Sequence, residues 1–556
     1  MTQLSLKWWQ KTVVYQIYPR SYKDSTGNGI GDLPGIISKL DYLEELGIET
    51  IWFSPFFTSP QQDHGYDIKD FRSIDPVYGT MKDFDTLLER MHERKMKIVL
   101  DLVLNHTSDQ HPWFTESASS RDNSKRDWYI WRDGKKPNGK APPNNWKSMT
   151  SGPAWKYSEN TDQWVYFHFL PFQPDLNYRN PVVKAEMFNV MKFWLDKGVD
   201  GFRLDILHSI YEDMDLRDNP WNLSIYSDKK SSMFFQKHIY DLNLPETFDF
   251  CLELRKIIDE YEPDRFLVGE VFGSVEQLRK YYGSKNNGLN QAFLFDFTSK
   301  ALSFNVKKIK NVIKQIESAL PYPYTPTYVY GNHDRDRYLS LLKGNIEKAK
   351  LFATMQLTLR GVPYIYYGEE IGMKNVKFEL KISEDPIGKK FANFPYPQIT
   401  NLIGFSLTRD RCRTPMQWNS KYNAGFSTNN HVKPWLKISD NFKEVNVELE
   451  REQPESLLNL YKKLILLRKE NIALQEGIFK FIELKDKNRA CIAYKRLHQE
   501  QNLSIYLNFS KREIFIDAVK DKTSLLFSTI FNKKILELNP SNEKIKINPF
   551  EGIILI

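Results

Sequence analysis

From residue 13 onward the sequence alternates short, β-rich apolar runs with amphipathic stretches, and it does so eight times. The runs are VVYQIYP, IETIWFSP, KIVLDLVLNH, VDGFRLDI, RFLVGEVF, QAFLFDF, TYVYGNHD and VPYIYYGEE. Between them lie helix-like segments such as LPGIISKLDYLEELG, TMKDFDTLLERMHERK, PVVKAEMFNVMKFWLDKG and IEKAKLFATMQLTLRG, and the last helix reads PESLLNLYKKLILLRKE. Strands that alternate with helices pair in parallel through crossover connections. Eight such units predict an α/β fold closed into a (β/α)8 TIM barrel.

Two departures from the alternation define further parts. After the third strand comes a long Trp-, Asn-, Pro- and Gly-rich stretch, too long for a bare loop. Residues 107–176 are therefore expected to form a small inserted domain over the barrel mouth, leaving 1–106 and 177–474 to the barrel. After about residue 475 short strands such as NRACIAYKR, NLSIYLNF and GIILI predict a C-terminal antiparallel β domain over 475–556. The inserted stretch holds Trp113, Trp128, Trp131, Trp146, Trp155 and Trp164. Most are expected to pack its core, although a tryptophan face also suits the C–H surface of a sugar. Internal repeats and low-complexity segments are absent from the sequence.

Composition closes off several classes of function. With 41% hydrophobic and 27% charged residues in 556, the chain reads as globular and water-soluble. It lacks the run of ~18–20 apolar residues that a membrane helix requires, so no membrane association is expected. The N-terminal MTQLSLKWWQKTVVYQ lacks an apolar core and a small-residue cleavage site, so no secretory signal is expected. Cys251, Cys412 and Cys491 are few, odd in number and far apart, which argues against a disulfide framework or zinc site and for a reduced, cytoplasmic setting. A net charge of +8 from 78 basic and 70 acidic residues is best read as a lysine-rich solvated surface. No nucleic-acid module accompanies it.

In such a barrel the active site gathers where strands end at the C-terminal rim. The third strand ends at Asn105-His106, the fourth at Arg203-Leu204-Asp205, the fifth at Glu270 and the seventh at Asn332-His333-Asp334. Any one of these could merely cap a helix or face water, but three carboxylates, two histidines and an arginine at one rim are not a coincidence of strand ends. Paired carboxylates can divide the cleavage of a glycosidic bond, one attacking or activating water and the other protonating the departing oxygen. Arg203, two residues before Asp205 on the same strand face, favours an ionised Asp205 as nucleophile. Glu270, with no cation adjacent in sequence, is the expected acid.

At this point the sequence resembles the α-amylase family of glycoside hydrolases. DLVLNH, GFRLD, GEVFG and GNHD are similar to its four core motifs, in order and on the corresponding strands. The resemblance implies a retaining mechanism through a covalent glucosyl ester, with Asp205 as nucleophile, Glu270 as acid/base and Asp334 gripping sugar hydroxyls. QPDLN (Gln173 to Asn177), RDRCRTPMQW (Arg409 to Trp418) and YQIYPRSYKDSTGNGIGDLPGI resemble the oligo-1,6-glucosidase and α-glucosidase branch. There the terminal glucose occupies a closed pocket, which maps here onto Asp63, Tyr66, His106, Arg203, His333 and Arg413. Asp63 and Arg413 are expected to block the pocket together, so that an exo-acting enzyme releases single glucose units. His64 stands where relatives commonly carry Asn.

DSTGNGIGD (Asp24 to Asp32) sets oxygen-bearing positions at alternate residues, the pattern by which a loop wraps a hard cation. A calcium-sensor loop needs a bidentate Glu at its twelfth position, which here is Gly35. The glycines Gly29, Gly31 and Gly35 do not match a phosphate loop either. The resemblance implies a structural Ca2+ or Mg2+ held by Asp24, Thr26, Asn28, Ile30 and Asp32, with no catalytic cofactor. The expected partner is a small oligosaccharide, and the expected state is a monomer or weak homo-oligomer.

Substrate choice stays open at this level. The resemblance implies that Ile206, directly after the expected nucleophile and a bulky aliphatic like the Val of relatives with α-1,6 preference, leans toward α-1,6 linkages, whereas RDNPWN (Arg217 to Asn222) resembles broader α-glucosidases. Trehalose-6-phosphate hydrolysis and sucrose hydrolysis or isomerisation are the alternatives, and transglycosylation would use the same intermediate. A non-catalytic scaffold like the heavy chain of an amino-acid transporter would need a membrane helix and would tolerate loss of the carboxylates, all three of which are present.

Overall fold

The computed structural model describes residues 6–135, 138–223, 226–227, 231–295, 304–393, 407–484, 490–517, 524–533 and 544–556. Eight parallel strands form its central sheet: β1 (Val14–Ile17), β2 (Thr50–Phe53), β3 (Lys97–Leu102), β4 (Gly201–Leu204), β5 (Phe266–Gly269), β6 (Gln291–Ala292), β7 (Thr327–Val329) and β8 (Val362–Tyr366). Their order is β6-β5-β4-β3-β2-β1-β8-β7. The ring is completed between β6 and β7 by two side chains: Thr327 Oγ1 donates to Ala292 O at 2.8 Å and accepts from Leu294 N at 3.3 Å, and Tyr282 OH accepts from Ala292 N at 3.1 Å and donates to Thr325 O at 3.0 Å.

Alternation along each strand sorts residues into two cores. Val14, Trp52, Val99, Val268, Phe293, Val329 and Tyr364 share one buried cluster inside the ring. Their neighbours Ile51, Phe53, Ile98, Leu100, Phe202 and Leu267 belong to a second, between strands and helices. Helices Met81–Glu93, Pro181–Asp196, Pro245–Ile258, Val306–Ala319, Ile346–Thr358 and Leu457–Glu470 supply the outer layer. The same parity, carried two residues further toward the C-terminal rim, turns Gln16, Asp101 and Glu270 inward after Val14, Val99 and Val268.

The stretch expected to be one helix after β1 is two, Leu33–Ile37 and Leu40–Leu46, because Lys39 leaves helical geometry at φ −116°. Between β3 and β4 lies a three-stranded antiparallel sheet, Trp131–Arg132, Gln163–Tyr166 and Trp155–Ser158, with the middle segment central. Trp146 and Trp155 fill its core with Ile130, Ala154 and Tyr166, while Trp113, Trp128 and Trp131 pack on the main core. A second antiparallel sheet, not foreseen from the sequence, follows β4 as Tyr226–Ser227, Ser232–Met233 and Gln236–Lys237. Toward the C-terminus a five-stranded antiparallel sheet packs Ile478–Phe481, Cys491–Leu497, Asn502–Asn508, Gly552–Leu555 and Leu525–Ser528 in that order. The three cysteines are free and buried. Among the described residues no helix is long and apolar enough to cross a membrane.

Candidate active site

The strand register carries the centre of the site. Asp101 on β3 pairs with Arg203 on β4, and Arg203 with Val268 on β5, so Arg203 sits between two neighbours that both present carboxylates. Its guanidinium is fully buried and gathers three of them. Nη1 donates to Asp101 Oδ1 at 2.8 Å and to Asp205 Oδ1 at 2.6 Å, and Nη2 donates to Glu270 Oε2 at 2.6 Å. The expectation that Glu270 lacks a cation is therefore corrected, since the guanidinium reaches it from the adjacent strand. Asp101 was missed as a site residue. Its other oxygen accepts from Tyr66 OH at 3.0 Å and Trp52 Nε1 at 3.2 Å, and a carboxylate within the apolar run KIVLDLVLNH was the available signal.

Burial pushes all three carboxyls up, Arg203 opposes the rise, and mutual repulsion adds to it. Asp101 rises to about 6, Asp205 to about 7 and Glu270 to about 8. Glu270 thus holds a proton at a pH where Asp205 has begun to lose its own. Ile206, next to Asp205, adopts a left-handed backbone at φ 32° and points its N–H toward Glu270 Oε2 at 3.4 Å.

Asp334 enters from the end of β7 and remains partly open to solvent. The enclosing protein opposes its charge, yet His333, Arg409 and Arg413 together hold its carboxyl well below the usual range. Burial keeps His333 neutral down to about pH 4, so the two arginines are the charges that matter at neutral pH. The Gln16 amide nitrogen lies 2.8 Å from His333 Nδ1, which places the ring proton on Nε2, facing Asp334 Oδ2 at 3.0 Å and Tyr66 OH at 2.5 Å. Tyr66 stacks on the same ring at 5.2 Å.

Asp63 and Arg413, expected to block the pocket together, are each held by other partners. Arg413 commits Nη2 to Asp334 at 2.9 Å and Nε to His333 O at 2.8 Å. Asp63 is held instead by Arg409 Nη2 at 2.5 Å and by Gln173 Nε2 at 3.2 Å. Arg409 in turn is fixed by Asp385 at 2.9 Å and reaches Asp334 at 3.2 Å, so Arg409 and Asp385 join the site although neither was singled out. From the same QPDLN segment, Asp175 receives Asn105 Nδ2 at 3.0 Å and its backbone bridges His106. His106 is buried and neutral, and among the described residues its Nε2 has no hydrogen-bond partner. His64 lies beside these groups with its ring against Trp435 at 5.0 Å.

The cation loop does not fit its ion. Asp24 Oδ1 accepts from Gly27 N at 2.7 Å and Thr26 Oγ1 at 3.3 Å, and Oδ2 accepts from Gly29 N at 2.8 Å and Ser427 Oγ at 2.6 Å. Asp32 Oδ1 accepts from Ser25 Oγ at 2.7 Å and Gly35 N at 2.6 Å, and Oδ2 from Ser25 N at 2.9 Å and Thr26 N at 3.1 Å. Asn28 Oδ1 takes Ile30 N at 2.8 Å. Every carboxylate oxygen already faces two donors, and a cation would have to displace them. Among the described residues no group of three or more His, Cys, Asp or Glu side chains is arranged to hold a metal.

An eight-stranded barrel with carboxylates gathered on one arginine at the C-terminal rim defines an enzyme that cleaves glycosidic bonds. The chain belongs to the α-amylase family, matching the model of the alpha amylase catalytic domain over residues 16–477. It is 41% identical to an oligo-1,6-glucosidase of Heyndrickxia coagulans, over 94% of this chain and 95% of that one. With an oligo-1,6-glucosidase of Bacillus cereus it shares 37% identity over 99% of both chains. The crystal structure of a Bacillus licheniformis trehalose-6-phosphate hydrolase superimposes with a TM-score of 0.84 at 34% identity, covering 99% of each chain.

Proposed function

We propose that this chain is a retaining, exo-acting α-glucosidase that removes terminal α-linked glucose from short oligosaccharides. The observation that carries the reading is the single Arg203 guanidinium holding Asp205 and Glu270 at 2.6 Å each. Two carboxyls on one fork suit the ~5–5.5 Å separation of retaining enzymes better than the ~6.5–9.5 Å that leaves room for water.

In the first step the Asp205 carboxylate attacks the anomeric carbon, the glycosidic C–O bond breaks, and Glu270 gives its proton to the departing oxygen. In the second, Glu270 takes a proton from water, whose oxygen displaces Asp205 and frees glucose. Asp334, held ionised, accepts hydrogen bonds from the sugar hydroxyls and His333 donates through Nε2. Asp63 with Arg409 closes the pocket beyond the terminal glucose, and His106 Nε2 faces it. The enzyme needs no catalytic cofactor and acts on free sugars in the cytoplasm as a monomer or weak homo-oligomer.

The test is glucose release from isomaltose, maltose, sucrose and trehalose-6-phosphate in parallel, with Asp205→Asn as the blank. Turnover of isomaltose or maltose, with the variant reduced by roughly 10⁴-fold or more, is expected. A preference for trehalose-6-phosphate would move the chain to the activity of its structural neighbour. Near-normal turnover by Asp205→Asn would overturn the mechanism.

A further inference from the structure

The sheet that follows β4 carries an anomaly at its tip. Ser232–Met233 and Gln236–Lys237 pair antiparallel with Met233 opposite Gln236, so Phe234 and Phe235 form a two-residue hairpin turn. Both have left-handed backbones, at φ 45° and 65°. Turns of this kind are the province of Asn, Asp and Gly, because a bulky side chain crowds its own carbonyl there. Two consecutive phenylalanines are therefore the wrong residues for the turn, and the surrounding structure has to hold them in place.

It does so from two sides. Lys147 of the inserted segment donates Nζ to Phe234 O at 3.1 Å, and its backbone N–H goes to Gln236 Oε1 at 2.9 Å. Gln236 Nε2 returns to Asn145 O at 2.9 Å, and Asn222 N donates to Phe235 O at 2.8 Å. The tip is thus pinned to the segment between β3 and β4. What the pinning presents is the Phe234 ring, half-buried against the apolar column that rises through the barrel to Phe272, Phe295 and Met149. Phe272 lies two residues beyond Glu270 in the chain, with its ring 4.5 Å from that of His208. Phe169 packs on the same column and Arg409 lies 5.8 Å from its ring, so the column borders the pocket.

We infer that Phe234 is a specificity-determining residue: the turn holds its ring at the barrel mouth to pack against the apolar face of the second sugar, the one that departs. The inference rests on the α-glucosidase reading above. It accounts for a left-handed phenylalanine where an asparagine would suit the turn better, since asparagine would offer the leaving sugar no face.

The experiment compares two donors that differ only in the leaving group: maltose or isomaltose, which has a second sugar, and α-glucosyl fluoride, which has none. Phe234→Asn suits the left-handed turn, so its melting temperature should equal or exceed that of the unaltered enzyme. Its KM for the disaccharide should rise about 10-fold or more, while kcat/KM for α-glucosyl fluoride stays within about twofold. Phe234→Tyr keeps the ring and should restore the disaccharide KM. An equal loss on both donors would mark a structural role and overturn the inference, as would an unchanged disaccharide KM. Failure of the unaltered enzyme to cleave either donor would overturn the α-glucosidase reading, and the inference with it.

Discussion

Two groups of buried carboxylates stand at the same end of the first strands and are held in opposite ways. Asp24 and Asp32, in the loop after β1, are satisfied by backbone N–H groups and hydroxyls of their own neighbourhood. Asp101, Asp205 and Glu270 share one guanidinium, and Asp334 shares two others. Backbone donors are fixed by the fold and cannot change partners without unfolding the loop. The guanidinium shared by three carboxylates engages Asp205 and Glu270 through one oxygen each and leaves Asp205 Oδ2 and Glu270 Oε1 off the fork. The first arrangement builds shape, and the second keeps charge available.

The comparison breaks most visibly at Arg203. A lysine cannot span three carboxylates with one ammonium, so Arg203→Lys should lower kcat/KM by about 10³-fold, or ~4 kcal/mol of transition-state stabilisation. Steady-state kinetics on the preferred disaccharide would read this, and a loss below 10-fold would mean that the fork is not what tunes the pair.

The loop should answer in stability instead. Asp24→Ala orphans the buried Gly29 N–H, the half-buried Gly27 N–H and two hydroxyls, and should cost about 2–4 kcal/mol in urea unfolding. Activity per folded molecule should change little.

The pH profile sharpens the contrast next. In the proposed mechanism Glu270, lifted by burial to about 8, acts in its protonated form, so the rate should fall as pH rises through that value. Asp205, lifted by burial to about 7, must be ionised, so the rate should fall on the acid side. Glu270→Gln should remove the alkaline limb when assayed with a leaving group that needs no acid. Because the folded pKa of Glu270 is raised, its contribution to stability is complete below the unfolded value and declines until pH passes about 8. The variant should flatten that part of the stability curve.

The smallest effect should come from chelation. A loop whose oxygens are filled by N–H and O–H donors should keep its melting temperature within about a degree in EDTA, and recover nothing when Ca2+ or Mg2+ is added back. A clear drop reversed by either ion would mean that the loop opens to admit one.

The barrel was readable because each strand announces itself as an apolar run and each rim as a polar end, both local signals. Asp205, Glu270, His106, His333 and Asp334 could be named for the same reason. Asp385 and Arg409 could not, because Arg409 reaches Asp63 and Asp334 across the fold with Asp385 behind it, and only the folded backbone says which arginine arrives where. The cation on Glu270 was hidden similarly: Arg203 is its neighbour through the β4–β5 register, 67 positions away in the chain. The hairpin at Phe234–Phe235 was invisible because its residues contradict the turn they make.

Among the described residues the ring of strands is joined between β6 and β7 through two side-chain hydroxyls, those of Thr327 and Tyr282. A seam with so few bonds is where such a cylinder should breathe first. The amide of Leu294 should therefore exchange with deuterium sooner than those buried in the β1–β2 pairing. Such opening would slacken the wall that carries Phe293 and Phe295, letting the mouth widen for product to escape while β3, β4 and β5 stay rigid. Two hydroxyls would then set how fast the enzyme empties without touching how fast it cuts.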